Sequence, residues 1–165
     1  MRLLMALVGA LALAACGDSD TTTIETEDGT AEYRTDNDSG EAEMRFTDDD
    51  GNETFVTSRS DLEADLPEGF SIYPGAEVVT NTVVSGNDGQ GSLIIMTSSA
   101  SVEEMTAFYR RQAVAAGIEF GMEMTSGANR IISGEGPDGE TFSFNASTSE
   151  GRTTAMLTMS RAPGE

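Results

Sequence analysis

The residues of this chain best equipped for chemistry gather around Gly51: Asp48, Asp49 and Asp50 precede it, and Asn52 and Glu53 follow. Oxygen donors at this density suit calcium, which takes about six to eight hard ligands, so Asp48, Asp50, Asn52 and Glu53 are the candidate metal ligands. The loop pattern fits badly. Aligning Gly51 with the invariant glycine of a helix-loop-helix calcium site puts Phe46 at the first ligand position and Thr57 at the bidentate one. A solvated hairpin turn is the competing reading, and no resident metal or cofactor is expected.

Other groups have similar alternatives. Met122, Met124, Met156 and Met159 could offer thioethers to cuprous ion, since soft donors select it; the same spacing suits the inner face of a sheet, and core packing is the expectation. Glu103 with Glu104, or Glu135 with Asp138, could serve a glycosidase, which needs two carboxyls about 5 to 9 Å apart across a cleft. One pair falls on a helix and the other near a turn, where solvated charge is the default. The glycine-rich stretch Gly86 to Gly91 joins two strand candidates, opens no helix and lacks the Lys and Ser/Thr of a phosphate loop. Asn145-Ala146-Ser147 matches the N-glycosylation tripeptide, a match common by chance.

Composition excludes more than these motifs add. The chain has 165 residues, 9 basic and 29 acidic, for a net charge of −20, with no histidine. Every basic residue is an arginine. Such a chain is repelled by nucleic acid and by anionic lipid, so no nucleic-acid partner is expected. Without imidazole there is no Ser-His-Asp or Cys-His nucleophile and no His-ligated zinc. No enzyme is expected.

At the N-terminus Arg2 precedes an apolar run from Leu3 to Leu13, then Ala14, Ala15 and Cys16. This is the pattern of an export signal. The run falls short of the roughly 20 apolar residues that span a bilayer as a helix. Cys16 is the chain's single cysteine, so no internal disulfide can form, and polar residues follow it. The tetrad Leu13-Ala14-Ala15-Cys16 resembles the lipobox of bacterial lipoprotein precursors. The resemblance implies removal of signal peptide 1–15 and a diacylglyceryl thioether, often with a third acyl chain, on Cys16. Two or three chains anchor a protein stably where one does not. The family's sorting rule retains proteins with aspartate directly after the cysteine in the inner membrane. Gly17 stands there, which implies an outer-membrane lipoprotein facing the periplasm.

The elements that must position these residues fall into two parts. Residues 16–68 hold 18 acidic groups and 3 arginines, and residues 69–165 hold 11 and 5. The first part reads as an acidic tether. Asp28-Gly29 and Asp50-Gly51 are type I′ hairpin signals, and 22–27, 30–35, 42–47 and 53–58 alternate as strands do, with Ala42, Met44 and Phe46 on one face. Weak hairpins, standing alone or docked on the second part, are expected, with disorder of 17 to about 40 as the competing reading.

The second part reads as a small α+β domain. Strands are expected at 77–85 and 92–98, with Leu93 to Met96 buried on both faces. Ser101 and Glu104 form a capping box for an amphipathic helix over 102–116, ended by Gly117, with Arg110 and Arg111 toward the end that the helix dipole favours. Four strands follow near 118–125, 129–135, 140–147 and 152–160. One helix covers one face of a sheet, so the expected class is two-layer α+β in the order ββαββββ, preceded by an acidic polar β-hairpin or disordered segment. Tyr73-Pro74-Gly75-Ala76, Phe108-Tyr109-Arg110 and Ala116-Gly117 resemble a group of small bacterial envelope lipoproteins with a Tyr-Pro-Gly-Ala turn. That resemblance covers roughly half the chain and implies location and fold, with no activity attached.

The functional expectation is a membrane-anchored, non-catalytic envelope lipoprotein that binds or scaffolds an envelope protein partner. A calcium-binding protein is the first alternative and a small hydrolase the second.

Overall fold

The computed structural model describes residues 19–36, 38–61, 64, 66–87 and 89–161. Residues 1–15, expected from the sequence to be a signal peptide, and Cys16 lie outside the described residues. In chain order the elements are β1 (Ser19–Thr26), β2 (Gly29–Asp36), β3 (Glu41–Asp48), β4 (Glu53–Arg59), β5 (Glu77–Gly86), β6 (Gly89–Ser98), α1 (Val102–Ala115), β7 (Glu119–Ser126), β8 (Asn129–Glu135), β9 (Thr141–Ser149) and β10 (Arg152–Arg161). All ten strands form one antiparallel sheet in the order β1-β2-β3-β4-β5-β6-β10-β9-β8-β7.

This corrects the expected fold class. The protein is β-rich, a single large sheet with one short helix, and not a two-layer α+β domain preceded by a separate segment. The charge drop near residue 68 does not mark the end of the sheet. The acidic strands run on into the second half because β4 pairs with β5 from Thr54↔Gly86 to Arg59↔Asn81. Backbone ladders tolerate acidic side chains when those alternate onto one face, so charge density alone does not end a sheet.

The turns form from local chemistry, although differently from the expected type I′ geometry. Glu150 is the single described residue other than glycine with positive φ, so Asp28 and Asp50 do not take the left-handed conformation. At β3–β4, Gly51 N–H donates to Asp48 O and Asp48 N–H to Asn52 O, each at 3.0 Å. That is a turn closed by a left-handed glycine. The type I′ geometry appears instead at β9–β10, where Glu150 and Gly151 both have positive φ, 53° and 79°.

α1 begins with the expected capping box: Glu104 N–H donates to Ser101 Oγ at 3.2 Å, and Ser101 N–H to Glu104 Oε2 at 2.9 Å. It ends in a Schellman motif, with Ile118 N–H bonded to Ala113 O at 2.9 Å and Gly117 N–H to Val114 O at 3.1 Å. Its last turn holds no basic residue. Arg110 turns sideways instead, pairing with Glu123 and lying over the Phe120 ring at 5.0 Å.

The core lies on one side of the sheet. α1 packs on β8 and β9, burying Val102, Met105, Tyr109 and Ala113 against Ile94, Met96, Phe142, Phe144 and Leu157. Leu66, Phe70, Ile72 and Tyr73 extend this cover before β5. β6 is central but not buried on both faces as expected: Ile94 and Met96 are fully buried, whereas Leu93 and Ile95 remain half-exposed.

Candidate functional site

Alternation and register assign each strand residue to a face, because directly opposed residues of antiparallel strands share one. One register row runs Ile132, Phe144, Leu157, Ile94, Asn81, Arg59. Its first five members are buried, so this is the face beneath the helix. Carried into the acidic strands, that face receives Glu25, Glu32, Arg34, Glu41, Glu43, Arg45, Glu53 and Arg59. Several pair there, as Arg59 with Glu41 at 2.9 Å and Arg45 with Glu53 at 3.8 Å. Arg45 also lies over the Phe55 ring at 4.9 Å.

The opposite face has a different composition. Tyr33, Met44, Val56 and Val84 form one row. Ile24, Ala31 and Phe46 form a second, and Met124, Ile131, Asn145, Met156 and Ile95 a third. Between strand ends the described side chains of this face include no charge. Its charged members sit at the rim: Asp48, Glu119, Glu135, and Glu77 with Arg152, which pair at 3.5 Å. No described element covers the face, and Ile24, Tyr33, Met44, Val84, Met122, Met124 and Met156 are exposed. At the β5–β6 hairpin end of the sheet Gly86, Gly89 and Gly91 line a trough of about 630 Å³ together with Val84, Leu93 and Thr158.

The candidate ligands do not converge. Asp48 Oδ1 accepts from the backbone N–H of Asn52 at 2.7 Å and of Asp50 at 3.0 Å, and Oδ2 from Asn52 Nδ2 at 2.9 Å. The Asn52 side chain and these backbone donors hold the Asp48 carboxyl below its ordinary pKa. Glu53 instead pairs with Arg45. Among the described residues no group of three or more acidic or cysteine donors is arranged to hold a metal ion.

The methionines split between the faces, which corrects the core reading for three of them. Met159 is buried, whereas Met122, Met124 and Met156 are exposed on the uncovered face. Met124 and Met156 lie three strand spacings apart in the register, about 14 Å at the usual spacing and too far to share an ion. Glu103 bonds to Arg130 at 2.8 Å, which lowers its pKa, and Glu104 is lowered by its cap to Ser101.

Across the strands Glu135 faces Glu119, a neighbour missed in the sequence because their register is long-range. Both are exposed at a cleft of about 930 Å³ between Pro137 and Phe142. Asn145 is half-exposed on the uncovered face. The Gly86 to Gly91 stretch is mostly strand, closing the β5–β6 hairpin. No described helix is long and apolar enough to cross a membrane. Compared with known protein families, curated proteins and solved structures, the chain matches none.

Proposed function

We propose that this protein is a bacterial envelope lipoprotein, anchored by lipid on Cys16 to the outer membrane and facing the periplasm, whose sheet is a non-catalytic binding or scaffolding platform. The uncovered sheet face carries the binding role. A sheet buries its apolar face against a second layer, and this one presents Tyr33, Met44, Val84 and Met156 to solvent instead. The anchoring rests on the apolar run ending in Leu13-Ala14-Ala15-Cys16. A net charge of −20 favours holding the folded body off an anionic bilayer while the lipid keeps it near.

The calcium and hydrolase readings draw less support. Both Asp48 oxygens serve the turn, and Glu119 and Glu135 open to solvent from a sheet edge.

The test is detergent phase partitioning of the full chain from a lipoprotein-processing bacterium, with mass analysis of the N-terminal peptide. The expected result is a detergent-phase protein beginning at a thioether-modified Cys16, and a Cys16→Ser chain without that modification. A buffer-phase protein with a free thiol, or one retaining residues 1–15, would overturn the proposal.

A further inference from the structure

We propose that the uncovered face is where a second copy of this chain docks, the two sheets stacking face to face. The inference rests on the binding reading and names its partner.

A folded domain closes its core with two packed layers. Here α1 and residues 66–76 supply the second layer on one side only, over β6 and β8–β10. The other side carries exposed apolar side chains, Tyr33, Met44, Val84 and Met156 among them, interleaved with uncharged polar ones such as Thr35, Thr82, Thr154 and Ser147. A stacked copy supplies the missing layer at the usual sheet separation of about 10 Å and angle of about 30°.

The area suffices. Ten strands of 7 to 10 residues at spacings of about 4.8 Å, rising about 3.3 Å per residue, present a face on the order of 1,000 Å². A stable interface buries about 800 Å² per partner.

Charge selects the occupant. Two copies at −20 each repel, and the strand charges of β2–β4 lie on the helix side apart from Asp48 at its turn. Stacking through the uncharged face turns those carboxylates outward, toward water on both sides of the pair. A basic protein would be drawn to the opposite face. A bilayer surface is disfavoured, because interfacial docking of a sheet or helix draws on flanking cations, and among the described residues of this rim the one cation is Arg152, itself paired with Glu77. A two-fold contact also sets each patch against its own copy, and an uncharged patch suits that arrangement.

The experiment is sedimentation of the full chain, extracted from envelopes, in density-matched nonionic detergent at tens of micromolar. Wild type is expected to sediment as two chains. Met156→Asp and Val84→Asp, each placing like charges in the contact, are expected to sediment as one chain with unchanged far-ultraviolet circular dichroism. Thr23→Asp, on the opposite face, is expected to remain paired. A single-chain wild type, face variants that stay paired, or a complex whose second component has a different mass would overturn the proposal. The Cys16 modification is read from the same preparation by mass, so failure of anchoring and failure of pairing are told apart.

Discussion

The backbone N–H of Tyr73 donates to the Tyr109 hydroxyl at 3.0 Å, and that hydroxyl donates to Met96 Sδ at 3.4 Å. One phenol thereby ties the turn before β5, the helix and the central strand together. Its ring stacks on Phe144 at 4.5 Å, and Tyr73 meets Phe108 edge-on at 5.1 Å. The Tyr-Pro-Gly-Ala turn and the Phe-Tyr-Arg helix segment, separated in sequence, are therefore two sides of one contact.

Burial pushes the Tyr109 phenol up to about 12 against the smaller opposing effect of the Tyr73 hydrogen bond. The folded state thus holds this proton more tightly than the unfolded chain. Its contribution is complete below about pH 10 and is lost as pH rises toward 12, on the order of 2 kcal/mol in all. The chain has no lysine to obscure that window. Urea unfolding at pH 9 and pH 11.5 should show wild type losing this stability and Tyr109→Phe losing less.

Glu150 occupies the left-handed region at φ 53°. A side chain there costs about 1 kcal/mol that glycine avoids. Glu150→Gly should raise stability by roughly 0.5–1 kcal/mol, and Glu150→Asn by less, as measured by thermal unfolding.

A Cβ on Gly134 would lie 2.2 Å from the Glu119 carbonyl oxygen, beside the register shift between Phe120 and Met122. Backbone cannot yield as a flexible side chain does. Gly134→Ala should destabilise by about 2 kcal/mol and raise amide exchange across β7–β8 first.

The bonds from Asn52 and the turn amides depress the Asp48 pKa, so its stabilising contribution exists above the ordinary carboxylate range and disappears as pH falls through the lowered value. Asp48→Ala should lower Tm at pH 7, with the difference from wild type shrinking on acidification toward pH 2. Calorimetric titration of wild type with calcium should give featureless dilution heats, because Asp48 is already occupied.

Much of the local structure was readable. The α1 cap needs Ser101 and Glu104 three residues apart, and its end needs Gly117, so a short window holds both signals. The shared face of Ala42, Met44 and Phe46 was equally legible from alternation. Which way that face points was not. It depends on the pairing of Val56 with Val84, a register made across an intervening segment and encoded in no local pattern. The same long-range fact joined the acidic strands to the core sheet, and separate registers, those of β7 through β10 with β6, left Met122, Met124 and Met156 uncovered.

Continuity across β4 and β5 fixes both the fold and the face, and native-state hydrogen exchange at neutral pH measures it directly. Amides of β3 and β4 that donate within the sheet should be protected to within about tenfold of those in β5, consistent with one cooperative sheet. Exchange throughout β3 and β4 at the rates of an unstructured chain would contradict the single sheet and, with it, the uncharged face.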